Sequence, residues 1–413
     1  NCVNIKHTIN IDIGGKKMVL SKKAGKISTS LTLDITAKAK KMKADGIDVI
    51  GFGAGEPDFN TPKNIREAAI KAINEGMTKY TAASGIIELK QAIIKKLKKD
   101  NSLDYITDQI IVSTGAKQCL ANVLQAILNP GDEVIIGAPY WVSYPELVKL
   151  ADGVPVFVET EESNKFKLTI TNLNRAITSK SKAIILNSPN NPTGAVYSRE
   201  ELMDIAEFAK INNLIIISDE IYEKLLYAAN DHISIASLSK DAYLRTIVIN
   251  GLSKAYSMTG WRIGYAAGSK EIIALMSNIQ SHTTSNPNSI AQYASVEALS
   301  GEQDDVHSMI KQFKLRRNYM VERINSINNL SCIEPEGAFY VMVNISSILN
   351  KLIDGKMIKD SISFSKLLLE KEKVAVIPGI AFGAENFIRL SYATSMENIK
   401  QGLNRIESFV SNI

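Results

Sequence analysis

From residue 109 to residue 267 the chain alternates short, nearly continuous apolar runs with longer stretches whose apolar positions follow helical spacing. The runs predict strands near Ile110–Ser113, Glu133–Ile136, Val154–Val158, Ala183–Asn187, Leu214–Ser218 and Thr246–Ile249, with a seventh over Ile263–Ala267. The intervening stretches predict helices near Ala116–Leu128, Val142–Leu150, Arg199–Lys210 and Lys270–Asn278, and Ser198-x-x-Glu201 forms a capping box for the third. Strands separated by helices imply an α/β fold, a mostly parallel seven-stranded sheet with helices on both faces. Such sheets bind ligands at the carboxyl ends of their strands.

The flanks read differently. Ahead of the sheet lie a helix over Leu33–Asp45 ended by Gly46, a short strand Asp48–Phe52, a helix opened by Thr61 as N-cap and Pro62 as first residue, and a helix Ile86–Lys99. After it a long helix, Asp304–Ile327, leads into strands near Ala338–Val343, Val374–Val376 and Ile388–Ser391 and helices near Ile362–Glu372 and Met396–Phe409. This tail is a smaller α+β unit. The expected division is an extension 1–17, an arm 18–60 joining the small domain, a large domain 61–303 and a small domain 304–413. The extension looks foreign to the rest: Met18 followed by VLSKKAGKIS reads as a natural start, and Gly14-Gly15-Lys16-Lys17 reads as a translated ribosome-binding site.

Composition narrows the function. At 413 residues the chain exceeds one hydrophobic core, which supports two domains. A net charge of +5 without basic blocks argues against nucleic acid as the main partner and leaves small anions open. No apolar run reaches membrane-spanning length. Cys2, Cys119 and Cys332 are scattered and odd in number, so a reducing cytoplasm is expected. The four histidines lack metal-ligand spacing, and no metal is expected.

Candidate chemistry clusters where strands end. Residues 248–268, VINGLSKAYSMTGWRIGYAAG, hold Lys254 between two predicted strands with no carboxylate beside it. Burial lowers the pKa of such an amine and makes it nucleophilic, the requirement for a Schiff base. Gly51-Phe-Gly53-Ala-Gly55-Glu56 imitates a dinucleotide fingerprint, but Glu56 replaces its last glycine and Pro57-Asp58 follows where a helix should open. Its glycines more simply allow close backbone approach to a ligand. Ser113-Thr114-Gly115-Ala116-Lys117 opens a helix, whose N-terminus is an anion site; Arg262 and Ser253 are further phosphate candidates. Trp141, just past a strand, offers a face to a planar ring. Ser188-Pro-Asn-Asn-Pro-Thr-Gly194 spells a sharp turn, Asp219 ends a buried strand, and Arg389 sits alone in an apolar one.

The motif S-K-x-x-x-M-T-G-W-R-I-G-Y, with five other motifs in matching order from Gly53 to Ala393, resembles class I and II pyridoxal-phosphate (PLP) aminotransferases of fold type I. Within them the chain looks closest to the bacterial aspartate aminotransferase subgroup. The resemblance implies that Lys254 binds PLP covalently and later acts as general base. It implies that Asp219 keeps the pyridine nitrogen protonated, that Asn191 and Tyr222 hydrogen-bond the phenolic oxygen, and that Gly115, Ala116, Lys117, Ser253 and Arg262 surround the phosphate. Arg389, with Gly55 opposite, would clamp the substrate α-carboxylate; Lys117 and Thr32 would take a distal one; Trp141 and Asn191 would also line the substrate site. Ala116 replaces a more usual glycine. The active unit would be a homodimer with shared sites, Tyr80 reaching the neighbouring subunit's phosphate and Ser281–Asn286 lying at the shared site. The reaction would move the amino group of L-aspartate to 2-oxoglutarate by ping-pong kinetics. An aromatic or prephenate aminotransferase, a PLP-dependent C–S lyase and a PLP-sensing regulator stand as alternatives, the last disfavoured by the lack of a basic recognition helix.

Overall fold

Seven strands form the large sheet: β1 Ile110–Ser113, β2 Glu133–Ala138, β3 Val154–Glu159, β4 Ser181–Asn187, β5 Ile215–Asp219, β6 Thr246–Gly251 and β7 Gly264–Ala267. These come from a computed structural model that describes residues 10–13, 16–227 and 232–413. The expectation that residues 1–17 are foreign falls mostly outside the described residues. The strand order is β1-β7-β6-β5-β4-β2-β3. Six strands share one direction, and β7 runs antiparallel to both of its neighbours.

The central strands are continuous apolar runs because both sheet faces are covered. Successive side chains point to opposite faces. Val134, Ile136, Ala183, Ile185 and Ile217 pack with one helix layer, including Leu120 and Val123 of α1 (Ala116–Ile127) and Tyr144 and Val148 of α2 (Ser143–Leu150). Ile135, Ile184, Leu186 and Ile216 pack with Leu202, Ile205 and Phe208 on the other face. The edge strand β3 is mostly uncovered.

The C-terminal sheet is antiparallel: β8 Ser331–Cys332, β9 Tyr340–Asn344, β10 Ile377–Pro378 and β11 Phe387–Ser391, in the order β8-β9-β11-β10. The strand expected over Asp48–Phe52 is only Ile50–Gly51, and it pairs in parallel with Val374–Ala375. This two-stranded sheet stitches the arm to the C-terminal segment just ahead of β10. One apolar cluster joins Phe52, Ile221, Tyr222 and Leu225 to Phe339, Tyr340, Leu390 and Tyr392, so the turn after β5 packs into the C-terminal core.

Several expectations need correction. Thr61 does not cap a helix: Pro62 is the N-cap, the helix is Lys63–Asn74, and the Thr61 hydroxyl instead donates to Ser257 O at 2.7 Å and accepts from Trp261 Nε1 at 2.9 Å. Three helices were not anticipated: Ile170–Ala176, Lys240–Arg245 and Ser289–Ser300. The last buries Ser289, Ala291, Gln292, Ala294, Ser295 and Ala298. A buried face of small and polar residues carries no apolar period to detect. The capping box holds: Ser198 N donates to Glu201 Oε2 at 2.7 Å, and Glu201 N donates back to Ser198 Oγ.

Candidate active site

Because six strands are parallel, β1, β2, β4, β5 and β6 end on one edge at Ser113, Ala138, Asn187, Asp219 and Gly251. The reversed strand β7 begins on that edge at Gly264. The loops bearing Gly115–Lys117, Trp141, Asn191, Tyr222, Lys254 and Arg262 therefore gather at the carboxyl ends of the strands.

The anion end is built from backbone and guanidinium. Gly115 is the N-cap of α1 with φ +83, and a Cβ there would lie 2.3 Å from Arg262 Nη2. A Cβ on Gly264 would lie 2.2 Å from Ala116 N. The two glycines let β7 and its preceding arginine press against the helix N-terminus, whose first amides lack intrahelical partners. Arg262, at φ 58, is held by Thr259 O at 3.0 Å and Thr114 O at 3.4 Å. Ser253 is buried. Ser113 is not part of this cradle, since its hydroxyl donates to Gln280 Oε1 at 2.5 Å. The Lys117 amine lies 4.8 Å from the Trp141 ring centroid, and partial burial, then the Arg262 charge, lowers its pKa.

Asp219 is buried and each carboxylate oxygen has one donor: Tyr144 O–H at 2.6 Å on Oδ2 and Ile221 N–H at 3.3 Å on Oδ1. Burial raises its pKa to about 6, against the pull of those two hydrogen bonds. Lys254 is half-buried and donates to Gly55 O. Loss of solvation lowers its amine to about 8; Glu56 opposes the shift and Arg262 and Arg389 add to it. Glu56 accepts from the Thr259 hydroxyl at 2.7 Å.

Arg389 is buried, with Nη1 donating to Asn191 Oδ1 at 2.9 Å and Nη2 to Gly53 O at 3.1 Å, while Nε has no partner among the described residues. Its guanidinium carbon lies 4.3 Å from the Tyr340 ring centroid and 4.8 Å from that of Phe382. The ionisable groups acting on it are the phenols of Tyr340 and Tyr222, not a carboxylate. Because Asn191 Oδ1 is occupied, its amide nitrogen is the end left to donate. The Tyr222 and Tyr340 hydroxyls are 3.0 Å apart.

Two expected participants make none of the contacts just described. The Thr32 hydroxyl pairs with Ser30 Oγ at 2.8 Å, and Tyr80 is 92 % exposed. Four residues were missed: Tyr144, Tyr340, Phe382 and Glu56. The signal for Tyr144 was its position one helical turn past Trp141. Tyr340 lies diagonally across β9 from Arg389, on the same face as Arg389's partner Met342. Among the described residues Glu220, Glu223 and His232 bring metal-type atoms within 4.8 Å of one another. Glu223 is paired with Lys96 and Asn101, and Glu220 accepts from Ser218 at 2.8 Å and Ser234 at 2.7 Å. These bonds anchor the turn that follows Asp219.

The donor set fits PLP: a cradle that a Cβ would fill for the phosphate, an amine of lowered pKa for the aldehyde, a buried carboxylate for the ring nitrogen, and an indole for the ring face. Residues 47–406 match the family described as "Aminotransferase class I and II". The chain is 53% identical over 394 residues to an aspartate aminotransferase of Bacillus sp. (strain YM-2), covering 95% of this chain and 100% of that protein. It is 47% identical over 397 residues to an aspartate/prephenate aminotransferase of Nitrosomonas europaea, covering 95% and 100%. The crystal structure of an aspartate aminotransferase from Rhizobium meliloti superposes with a TM-score of 0.92 at 44% identity, covering 96% of this chain and 99% of that one. The chain belongs to the class I and II aminotransferases, PLP-dependent enzymes of fold type I.

Proposed function

We propose that this enzyme moves the amino group of L-aspartate to 2-oxoglutarate, giving oxaloacetate and L-glutamate, with a ping-pong order. The observation that carries the substrate class is Arg389: a buried guanidinium that, among the described residues, has no carboxylate partner and only two of its five N–H groups engaged in hydrogen bonds. A substrate α-carboxylate supplies the missing partner. Lys117, whose amine lies above Trp141, supplies the second cation that a dicarboxylate needs, with Thr32 assisting.

When bound, PLP supplies the electron sink and carries the amino group between substrates. The amides of Gly115, Ala116 and Lys117, with Ser253 and Arg262, hold its phosphate; Trp141 covers the ring; Asn191 and Tyr222 donate to the phenolic oxygen; Lys254 holds it covalently. Asp219 keeps a proton at the ring nitrogen. Arg389 orients the amino acid, with Gly55 opposite. Lys254, once released, lifts the α-proton as general base; an amine lowered to about 8 is near enough to neutrality for that work.

The division into a large domain 61–303 and a small domain 304–413 with the arm 18–60 is part of this reading, as are a cytoplasmic homodimer and the partner subunit's Tyr80 at the phosphate. Exposure of Tyr80 supports the dimer. No helix among the described residues is long and apolar enough to cross a membrane. The relative named for prephenate supports a second reading, an oxo acid with a bulkier ring.

The test is the visible spectrum of the holoenzyme on adding aspartate without an oxo acid. Conversion of the yellow form to the pyridoxamine form supports the reading. A spectrum indifferent to aspartate, but altered by an aromatic amino acid, would replace it with the second.

A further inference from the structure

Phe382 is fully buried at the end of the turn Gly379–Phe382, midway between the starts of β10 and β11, five residues from each. Its ring lies 4.8 Å from the guanidinium carbon of Arg389. Its backbone carbonyl accepts from Tyr140 N–H at 3.1 Å, and a Cβ on the next residue, Gly383, would lie 2.9 Å from the Tyr140 ring. The turn is thus docked on the segment that carries Trp141. Tyr340, the other ring against Arg389, has a second task through its hydroxyl bond to Tyr222. Phe382 has no polar atom with which to do anything comparable.

An arginine side chain has many rotamers, and two hydrogen bonds to Asn191 and Gly53 fix only part of the fork. A ring face attracts the cation and blocks water from it, which keeps the free N–H groups aligned and unsolvated for an incoming carboxylate. We infer that Phe382 is a positioning residue for Arg389, whose ring face sets the affinity for the carboxylate that amino-acid and oxo-acid substrates share. The inference rests on the reading of Arg389 as the α-carboxylate clamp. Its ring faces Arg389, so it acts on carboxylate binding and not on proton transfer. It acts equally on both substrates of the ping-pong pair, because the group it serves is common to them.

The test uses the holoenzyme and succinate as a non-reacting dicarboxylate probe, followed by titration calorimetry, together with KM and kcat for aspartate and 2-oxoglutarate. Phe382→Leu is expected to weaken succinate binding and raise both KM values by about 2- to 30-fold, the span from an exposed to a desolvated cation–ring contact. The value of kcat and the affinity for PLP are expected to stay at wild-type levels. Unchanged succinate affinity would overturn the inference. Because Leu removes volume as well as the ring, a second series places mono-, di- and trifluorophenylalanine at position 382 by site-specific incorporation. Stepwise loss of succinate affinity with each fluorine supports the ring-face role; a flat series overturns it even if Phe382→Leu is impaired. Arg389→Leu separates the two readings. If it leaves KM unchanged, the clamp itself is wrong. If it raises KM, Phe382→Leu added to it is expected to cost nothing more, and a further loss would overturn the inference alone.

Discussion

Replacing Tyr144 by phenylalanine removes one hydroxyl from the wall behind Asp219 and leaves Oδ2 without its donor. The site is dry, with Asp219 only 4% exposed, so water does not fully replace the bond. A hydrogen bond to a charged group contributes ~1.5–3 kcal/mol, which at ~1.36 kcal/mol per unit corresponds to roughly 1 to 2 pKa units. Tyr144 favours the charged carboxylate, so its loss adds to the effect of burial. The Asp219 pKa is expected to move from about 6 to between roughly 7 and 8. At pH 7 the ionised fraction then falls from roughly nine-tenths to between a half and a tenth. The assay is PLP binding to the apoenzyme across the neutral pH range, wild type against Tyr144→Phe. Ionised Asp219 attracts the ring nitrogen's proton, so affinity rises with pH through the Asp219 midpoint, and the variant's rise comes later. Titration of the PLP phosphate itself is common to both proteins and cancels. An unmoved or lowered midpoint would refute the reasoning, as would an equal effect of Tyr144→Phe in an Asp219→Asn background.

Lys254→Ala is expected to lose transamination by several orders of magnitude while still binding PLP through the phosphate and ring contacts; turnover near wild type would refute the general-base role. Gly115→Ala puts a side chain into a region of backbone space reserved for glycine, a strain of about 1–3 kcal/mol, and its Cβ displaces Arg262. PLP affinity by equilibrium dialysis is expected to drop at least about tenfold, roughly 1.4 kcal/mol, and a normal value would remove the cradle from the site. Glu56→Gln deletes a charge that raises the Lys254 pKa, so the amine's midpoint in the apoenzyme, read from the pH dependence of reductive methylation, is expected below about 8. A midpoint at or above the wild-type one would contradict the assigned sign.

The large sheet was legible because its strands are buried on both faces and therefore written as unbroken apolar runs, and because Lys254, Asp219, Asn191 and Arg389 each follow or occupy such a run. Other features were hidden for identifiable reasons. Ser289–Ser300 buries small and polar residues, so no period marks it. Thr61-Pro62 is a standard helix opening, but the hydroxyl was drawn off to Ser257 and Trp261, 196 and 200 residues away in sequence. Tyr340 and Phe382 are buried rings far from the other motifs in sequence, and both flank Arg389, a relation that no local pattern encodes.

The pairing of Ile50–Gly51 with Val374–Ala375 places the carbonyls of Gly53 and Gly55 on the C-terminal side of the molecule although they come from the arm. Arg389 meets Gly53 within that assembly, so their bond is insensitive to how the two sheets are spaced. Lys254 meets Gly55 across the gap from the β6 edge. That contact works as a caliper, as does the bond from Arg389 to Asn191 in the turn after β4: each spans the two sheets, and its length reads their separation.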